Sequence, residues 1–259
     1  MQIRDIKWYG WKPDFPDHRD MLFSAAAPII PQSVDLRETC MMPEIFNQGS
    51  LGSCTGNAIS FMMGFNALNN NTVTPFASTL PFSRLFIYYN ERVIEDSVNQ
   101  DSGAQIRDGL KTVANQGVCI ETYYPYDVDR FTIKPPDEAY ANGLLYKADQ
   151  YRRINNANKL DMISCLLDKR PFVLGFSVYS SFESQEVSDT GVVELPTKNE
   201  SLMGGHCVCC VGYDLDSDRF ICANSWGSDW GQDGYFTIPA AYLTNWNLAS
   251  DFWTVKQIL

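Results

Sequence analysis

Apolar residues recur at Ala58, Phe61, Met62 and Phe65, the i, i+3, i+4, i+7 spacing of a buried helical face. A helix is therefore predicted from about Ser53. A second helix is predicted after Pro81-Phe82-Ser83, through Leu85, Tyr88 and Tyr89. A third, from about Ala104, sets Ile106, Leu110 and Val113 on one face, and Gly117 supplies its stop. The pattern then changes. Apart from one helix around Leu160, Ile163 and Leu167, the second half reads as strands over 172–178, 207–213, 220–223 and 235–238, parted by Gly, Pro and Asp turns. Helices first and strands second predict an α+β fold of two lobes. The division expected is a mainly helical lobe over 32–145 and a mainly β lobe over 146–259.

Residues 1–31 stand outside this pattern. Trp8, Trp11, Pro13, Pro16, Pro28 and Pro31 are scattered among charges with no sustained period. Such a segment should be extended, and Trp8, Tyr9 and Trp11 should press it onto the rest of the molecule.

Charge narrows the function. The 259 residues carry 31 acidic against 20 basic side chains, a net −11. Nucleic acid is excluded as a partner because phosphate binding needs a cationic face, and the Arg152-Arg153 pair reads as solvated surface. The stretch 23–30 is too short to span a bilayer and is interrupted by Pro28, so no membrane partner is expected. Met1 to Lys7 lacks the apolar core of a secretory signal. The expectation is a soluble monomer, cytoplasmic or delivered by a non-classical route.

Three pieces carry chemistry. Cys54 follows a Gly-containing turn at a predicted helix start, where unpaired N–H groups and the positive end of the helix dipole favour a thiolate. A free cysteine is otherwise most often a small buried hydrophobe. His206 follows Gly204-Gly205 at the mouth of a strand, where close backbone approach can aim its ring into a cleft. The other histidine, His18, lies among charges and reads as surface. Asn224-Ser225-Trp226-Gly227 through Gly234-Tyr235 is the densest run of Trp and Gly in the chain. Metal binding at His206-Cys207-x-Cys209-Cys210 is not expected, because strand alternation sets His206 and Cys210 opposite Cys207 and Cys209. No cofactor is implied.

Together these motifs resemble the papain-like cysteine peptidases, in order from about Ile30 to Tyr235. Ile30-Pro31-Gln32-Ser33-Val34-Asp35 is similar to the start of the family's mature domain, and Asn47-Gln48-Gly49-x-x-Gly52-Ser53-Cys54 to its nucleophile motif. Gly205-His206 with Val211-Gly212-Tyr213 is similar to the histidine motif, and Asn224 to Tyr235 to the asparagine motif. The resemblance implies a helical lobe facing an antiparallel β-barrel-like lobe across a cleft. It implies Cys54 as nucleophile, His206 as base and acid, Asn224 as orienter of the ring, and Gln48 as an oxyanion donor. Trp226 would cover the His206–Asn224 hydrogen bond. Gly52, Gly103, Ala104, Gly205, Trp226 and Trp230 would line the substrate cleft, with a peptide or protein strand pairing near Gly103. The activity implied is that of an endopeptidase working through a thioester. A catalytically silent binding module, or a transpeptidase using the same triad, would keep the same residues.

The resemblance has departures. Thr55 follows the nucleophile where an aromatic is common. Leu51 stands where many members have a disulfide cysteine, and Asp101-Ser102-Gly103-Ala104 takes the place of Cys-Asn-Gly-Gly. Most of the eight cysteines are therefore expected to be reduced packing residues. The long helical pro-domain has as its only counterpart residues 1–31, which either lie in the cleft and inhibit or pack permanently behind the lobes.

Overall fold

The computed structural model describes residues 9–24, 30–69 and 81–256. Trp8 and the stretch around Pro28 lie outside them. Elements follow in chain order: β1 (Trp11–Lys12), β2 (Ser33–Asp35), α1 (Leu36–Thr39), α2 (Cys54–Asn69), α3 (Arg84–Ile94), β3 (Ala104–Gln105), α4 (Ile106–Asn115) and α5 (Asp137–Gly143). Then come β4 (Tyr151–Arg153), α6 (Lys159–Leu167), β5 (Phe172–Tyr179), α7 (Gln185–Thr190), β6 (Leu202–Asp214), β7 (Arg219–Ala223), β8 (Tyr235–Pro239), α8 (Ala240–Leu243) and β9 (Ala249–Val255).

The predicted helices are present, with a difference of degree in α2. Beyond its expected face, Thr55, Asn57, Ile59, Ser60 and Met63 are also buried. The cause is position: α2 lies between α3 and α4 on one side and β6 on the other. A helix enclosed on all sides needs no polar face. Its first turn starts at Cys54, directly under the inter-lobe surface. α3 is capped by the Ser83 hydroxyl, which accepts from the Phe86 amide. α4 ends at Asn115, and Gly117 follows at φ 75°, where an added Cβ would fall 1.8 Å from the Gly143 carbonyl oxygen.

The β lobe is a sheet in the order β4-β9-β5-β6-β7-β8, with β2 pairing β6. Among the described residues β4 and β8 do not pair, so the antiparallel β-barrel-like lobe is not a closed barrel. Two elements escaped the hydrophobic pattern. β9 is a near-continuous buried run, Phe252, Trp253, Thr254 and Val255, in which alternation is hidden because both faces are covered. β4 carries Arg152-Arg153, and here the structure corrects the sequence reading: Arg153 is partly buried and ion-paired with Asp20 and Asp251. All eight cysteines are free thiols, seven of them buried.

Residues 9–24 follow two paths in turn. Residues 9–12 enter the space between the lobes, where β1 pairs in parallel with β3, Trp11 opposite Ala104. Residues 14–23 then run along the β lobe, where the Arg153 amide donates to Met21 and its carbonyl accepts from Phe23.

Candidate active site

Cys54 and His206 come from different lobes, and both are fully buried. The Nε2 of His206 lies 2.8 Å from Asn224 Oδ1, which also accepts the Ser225 amide at 2.8 Å. With Nε2 engaged, proton exchange with a thiol falls to Nδ1. Trp226 lies 5.2 Å from the His206 ring at a shallow 33° tilt, and Trp230 and Phe182 stand edge-on to Trp226. This aromatic layer keeps water from the His206–Asn224 contact. Trp230 is thus a second layer behind Trp226.

Gln48 is held at every polar group. Its amide N–H donates to Ser225 O at 2.9 Å, and its carbonyl accepts from the Tyr126 hydroxyl at 2.8 Å. Side-chain Oε1 accepts from Ser225 Oγ at 2.6 Å, and Nε2 donates to Leu51 O at 2.9 Å. The Leu51 carbonyl can only accept, so it fixes Nε2 on its side and leaves Oε1 to take the Ser225 hydroxyl. The sequence motifs that contain Ser225 and Tyr126 assign neither of them a role. Ser225 is adjacent to Asn224, and that adjacency was the available signal.

The remaining cleft residues meet the chain itself. Between Gly52 and Gly103 on one wall and Gly204, Gly205 and Gly175 on the other runs Tyr9-Gly10-Trp11. A Cβ added at Gly103 would fall 2.2 Å from Gly10 O, and one at Gly205 would fall 2.6 Å from the Trp11 ring. At Gly175 the distance to Trp11 is 2.0 Å. The glycines make room for a polypeptide strand, and the Ala104 amide donates to Gly10 O at 2.7 Å. Tyr9 stacks edge-on to His206 with centroids 5.9 Å apart, and its hydroxyl donates to Glu183. Burial beneath this segment pushes the Cys54 thiol up to about 12, against backbone hydrogen bonds from Cys207 and Gly10 that lower it. A covered Cys54 is a neutral thiol.

Behind the segment lies a buried charge cluster. Trp11 Nε1 donates to Asp251 Oδ2 at 3.2 Å and the Asp14 amide to the same oxygen at 2.8 Å. The Asp14 carboxyl accepts from Trp253 Nε1 at 2.9 Å and the Arg107 amide at 3.1 Å. Arg153 reaches Asp251 at 2.7 Å, Asp20 at 3.2 Å and Asp14 at 3.5 Å, and Arg107 closes on Asp20 at 2.6 Å. Burial, then the Asp251 charge, raises Asp14 from 3.8 to about 7, opposed by the Arg107 amide and charge and by Trp253. The docked segment therefore keeps a proton that a released one gives up. Docking from this source is fully favoured below about pH 4 and is lost as pH rises through about 7. Between pH 6 and 8 the docked segment should loosen about tenfold. The check is the rate of Cys54 alkylation in the native chain divided by that in Asp14→Asn. The ratio should climb with pH, and a flat ratio would rule out Asp14 as its source.

Among the described residues no group of three or more His, Cys, Asp or Glu could hold a metal, and no helix is long and apolar enough to cross a membrane. His18 is exposed.

A cysteine, a histidine and an asparagine across the cleft of an α+β two-lobe fold define the class of papain-like thiol peptidases. The chain belongs to that family: the papain family cysteine protease profile matches residues 30–252. It is 41% identical to a peptidase C1-like protein of Acanthamoeba polyphaga mimivirus, over 96% of this chain and 87% of that one. The crystal structure of xylellain, a cysteine protease from Xylella fastidiosa, superposes with a TM-score of 0.90 at 38% identity, covering 100% of this chain and 99% of that one. Cysteine proteinase 3 of Entamoeba histolytica is 26% identical over 83% of this chain, which spans only 64% of that protein's length. The protein is a cysteine peptidase.

Proposed function

We propose that this chain is an endopeptidase that cleaves peptide bonds through a thioester on Cys54 and is held closed by its own residues 9–12. The observation that carries the reading is the Gly10 backbone lying over Cys54 and Gly52, in the groove a substrate main chain would use. Once the segment leaves, His206 Nδ1 takes the thiol proton and the thiolate attacks the scissile carbonyl carbon. The C–N bond then breaks, with the proton passing from His206 to the departing amine. Water, deprotonated by the same ring, releases the acid and regenerates the thiol. Asn224 holds the imidazole through Nε2, and its neutral amide suffices because it orients the ring rather than balancing charge.

Acid-quenching a reaction with a peptide amide tests this directly. An acyl adduct on the peptide containing Cys54, formed and lost at the rate of turnover, is expected. Turnover that persists in Cys54→Ala would sink the reading. The neutral asparagine and the fully assembled donor set favour hydrolysis over a silent binding module.

A further inference from the structure

A third set of groups shapes the cleft without touching the reacting atoms. Asp101 stands just before β3, and both of its carboxylate oxygens accept the Gly52 amide, each at 3.0 Å. Oδ1 also accepts the Tyr88 hydroxyl at 2.5 Å, and that hydroxyl in turn accepts the Gly103 amide at 3.1 Å. Tyr88 is fully buried on α3 and remains a phenol, its pKa raised by burial and by the Asp101 charge. Arg92, one turn further along α3, stacks on the Tyr88 ring at 4.0 Å. Its guanidinium donates to Val98 O at 2.9 Å and Gln100 O at 3.2 Å, fixing the loop that delivers Asp101.

The consequence lies in which backbone groups are used up. The amides of Gly52 and Gly103 both point away from the groove, toward Asp101 and Tyr88. That leaves the Ala104 amide to pair with a strand lying there, as it pairs with Gly10 O. Gly103 is also a glycine whose missing Cβ makes room for that strand, and the Gly52 backbone is the surface on which Gly10 rests. We infer that Asp101 and Tyr88 are positioning residues: one hydrogen-bonded staple that fixes the gap between the nucleophile loop and β3, and so sets how tightly the groove holds an extended main chain. The closed segment and an incoming substrate would depend on it alike. For the substrate this inference rests on the peptidase reading; for the closed segment it does not.

Two measurements separate these. In the full-length protein, Tyr88→Phe keeps the ring and removes the hydroxyl, leaving the Gly103 amide without its acceptor. Hydrogen exchange of the Ala104 amide should speed up about tenfold, since one lost buried hydrogen bond is worth about 1–1.5 kcal/mol. Exchange at Val208, inside β6, should not move. In the Gly10→Val background, where the segment cannot occupy the groove, Tyr88→Phe should raise KM for an extended peptide about tenfold. There kcat and the rate of Cys54 alkylation by iodoacetamide should stay the same. Asp101→Asn, which sets an amide N–H₂ against the donors it faces, should act in the same direction and serves if Tyr88→Phe folds poorly. Faster Ala104 exchange without any turnover would overturn the peptidase reading and leave the staple standing. Unchanged Ala104 exchange and unchanged KM in a folded variant would overturn the staple, as would a fall in kcat at constant KM.

Discussion

Gly10→Val should switch the full-length protein on, raising peptide hydrolysis about 100-fold. A Cβ at Gly10 would fall 1.7 Å from the Gly52 carbonyl oxygen and 2.4 Å from its carbon. Both are backbone atoms and cannot step aside, because the Gly52 amide is fixed on Asp101 and α2 begins two residues later. Something must move, and the segment is the looser partner: β1 contributes two residues of pairing, and its path ends in the clamp at Asp14 and Asp20. Docking worth about 3 kcal/mol leaves roughly 1% of chains open, so eviction raises the open fraction about 100-fold. Iodoacetamide should show the same ratio at Cys54, because the thiol loses the cover that keeps it neutral. Trp11 fluorescence should shift to the red as the indole leaves Gly175 and Asp251 for water. A folded Gly10→Val protein that hydrolyses no faster would show that residues 9–12 do not restrain the enzyme.

The restraint rests on contacts that no single stretch of sequence carries. Trp8, Tyr9 and Trp11 are visible in sequence as residues that need a surface, but for Tyr9 and Trp11 which surface depends on voids left by glycines at 10, 103, 175 and 205. Those glycines lie in four separate stretches of chain, and only the fold aligns them. The reacting residues were legible because each sits in a local motif: Cys54 after its Gly turn, His206 after Gly204-Gly205, and Asn224 before Ser-Trp-Gly. Asp14 and Asp251 carry no such mark, and Asp101 is marked only as the first residue of the run that replaces Cys-Asn-Gly-Gly. Asp14 and Asp251 read in sequence as two more acidic residues on a chain of net −11, and all three become informative only through burial against a tyrosine, a tryptophan or a backbone amide. β9 was missed for a related reason, since a strand covered on both faces loses the alternation that marks strands. The two-lobe division, by contrast, follows from helical period giving way to short strand runs and needed no tertiary information.

Gln48→Ala, placed in the Gly10→Val background, should lower kcat by about 100- to 1000-fold while leaving KM close to its starting value. The effect comes from the two hydrogens of the Gln48 amide. One is donated to Leu51 O, and Ser225 Oγ holds Oε1 from the other side, so the amide plane cannot rotate. The second Nε2 hydrogen is then presented in a fixed direction to the oxygen of a scissile carbonyl as it becomes an oxyanion. A preset donor stabilises that charge without reorganising when it forms, which is why its loss appears in kcat rather than in binding. Ser225→Ala should reproduce part of the loss, because Oε1 loses its anchor and the amide, held through Leu51 O alone, can swing its second hydrogen out of line. Cys54 alkylation should be unaffected in both variants, since iodoacetamide displacement builds no oxyanion. An equal fall in alkylation and hydrolysis would mean that Gln48 supports the loop carrying Cys54, and would remove it from the chemistry. A rise in KM at constant kcat would instead move Gln48 to the substrate-binding wall.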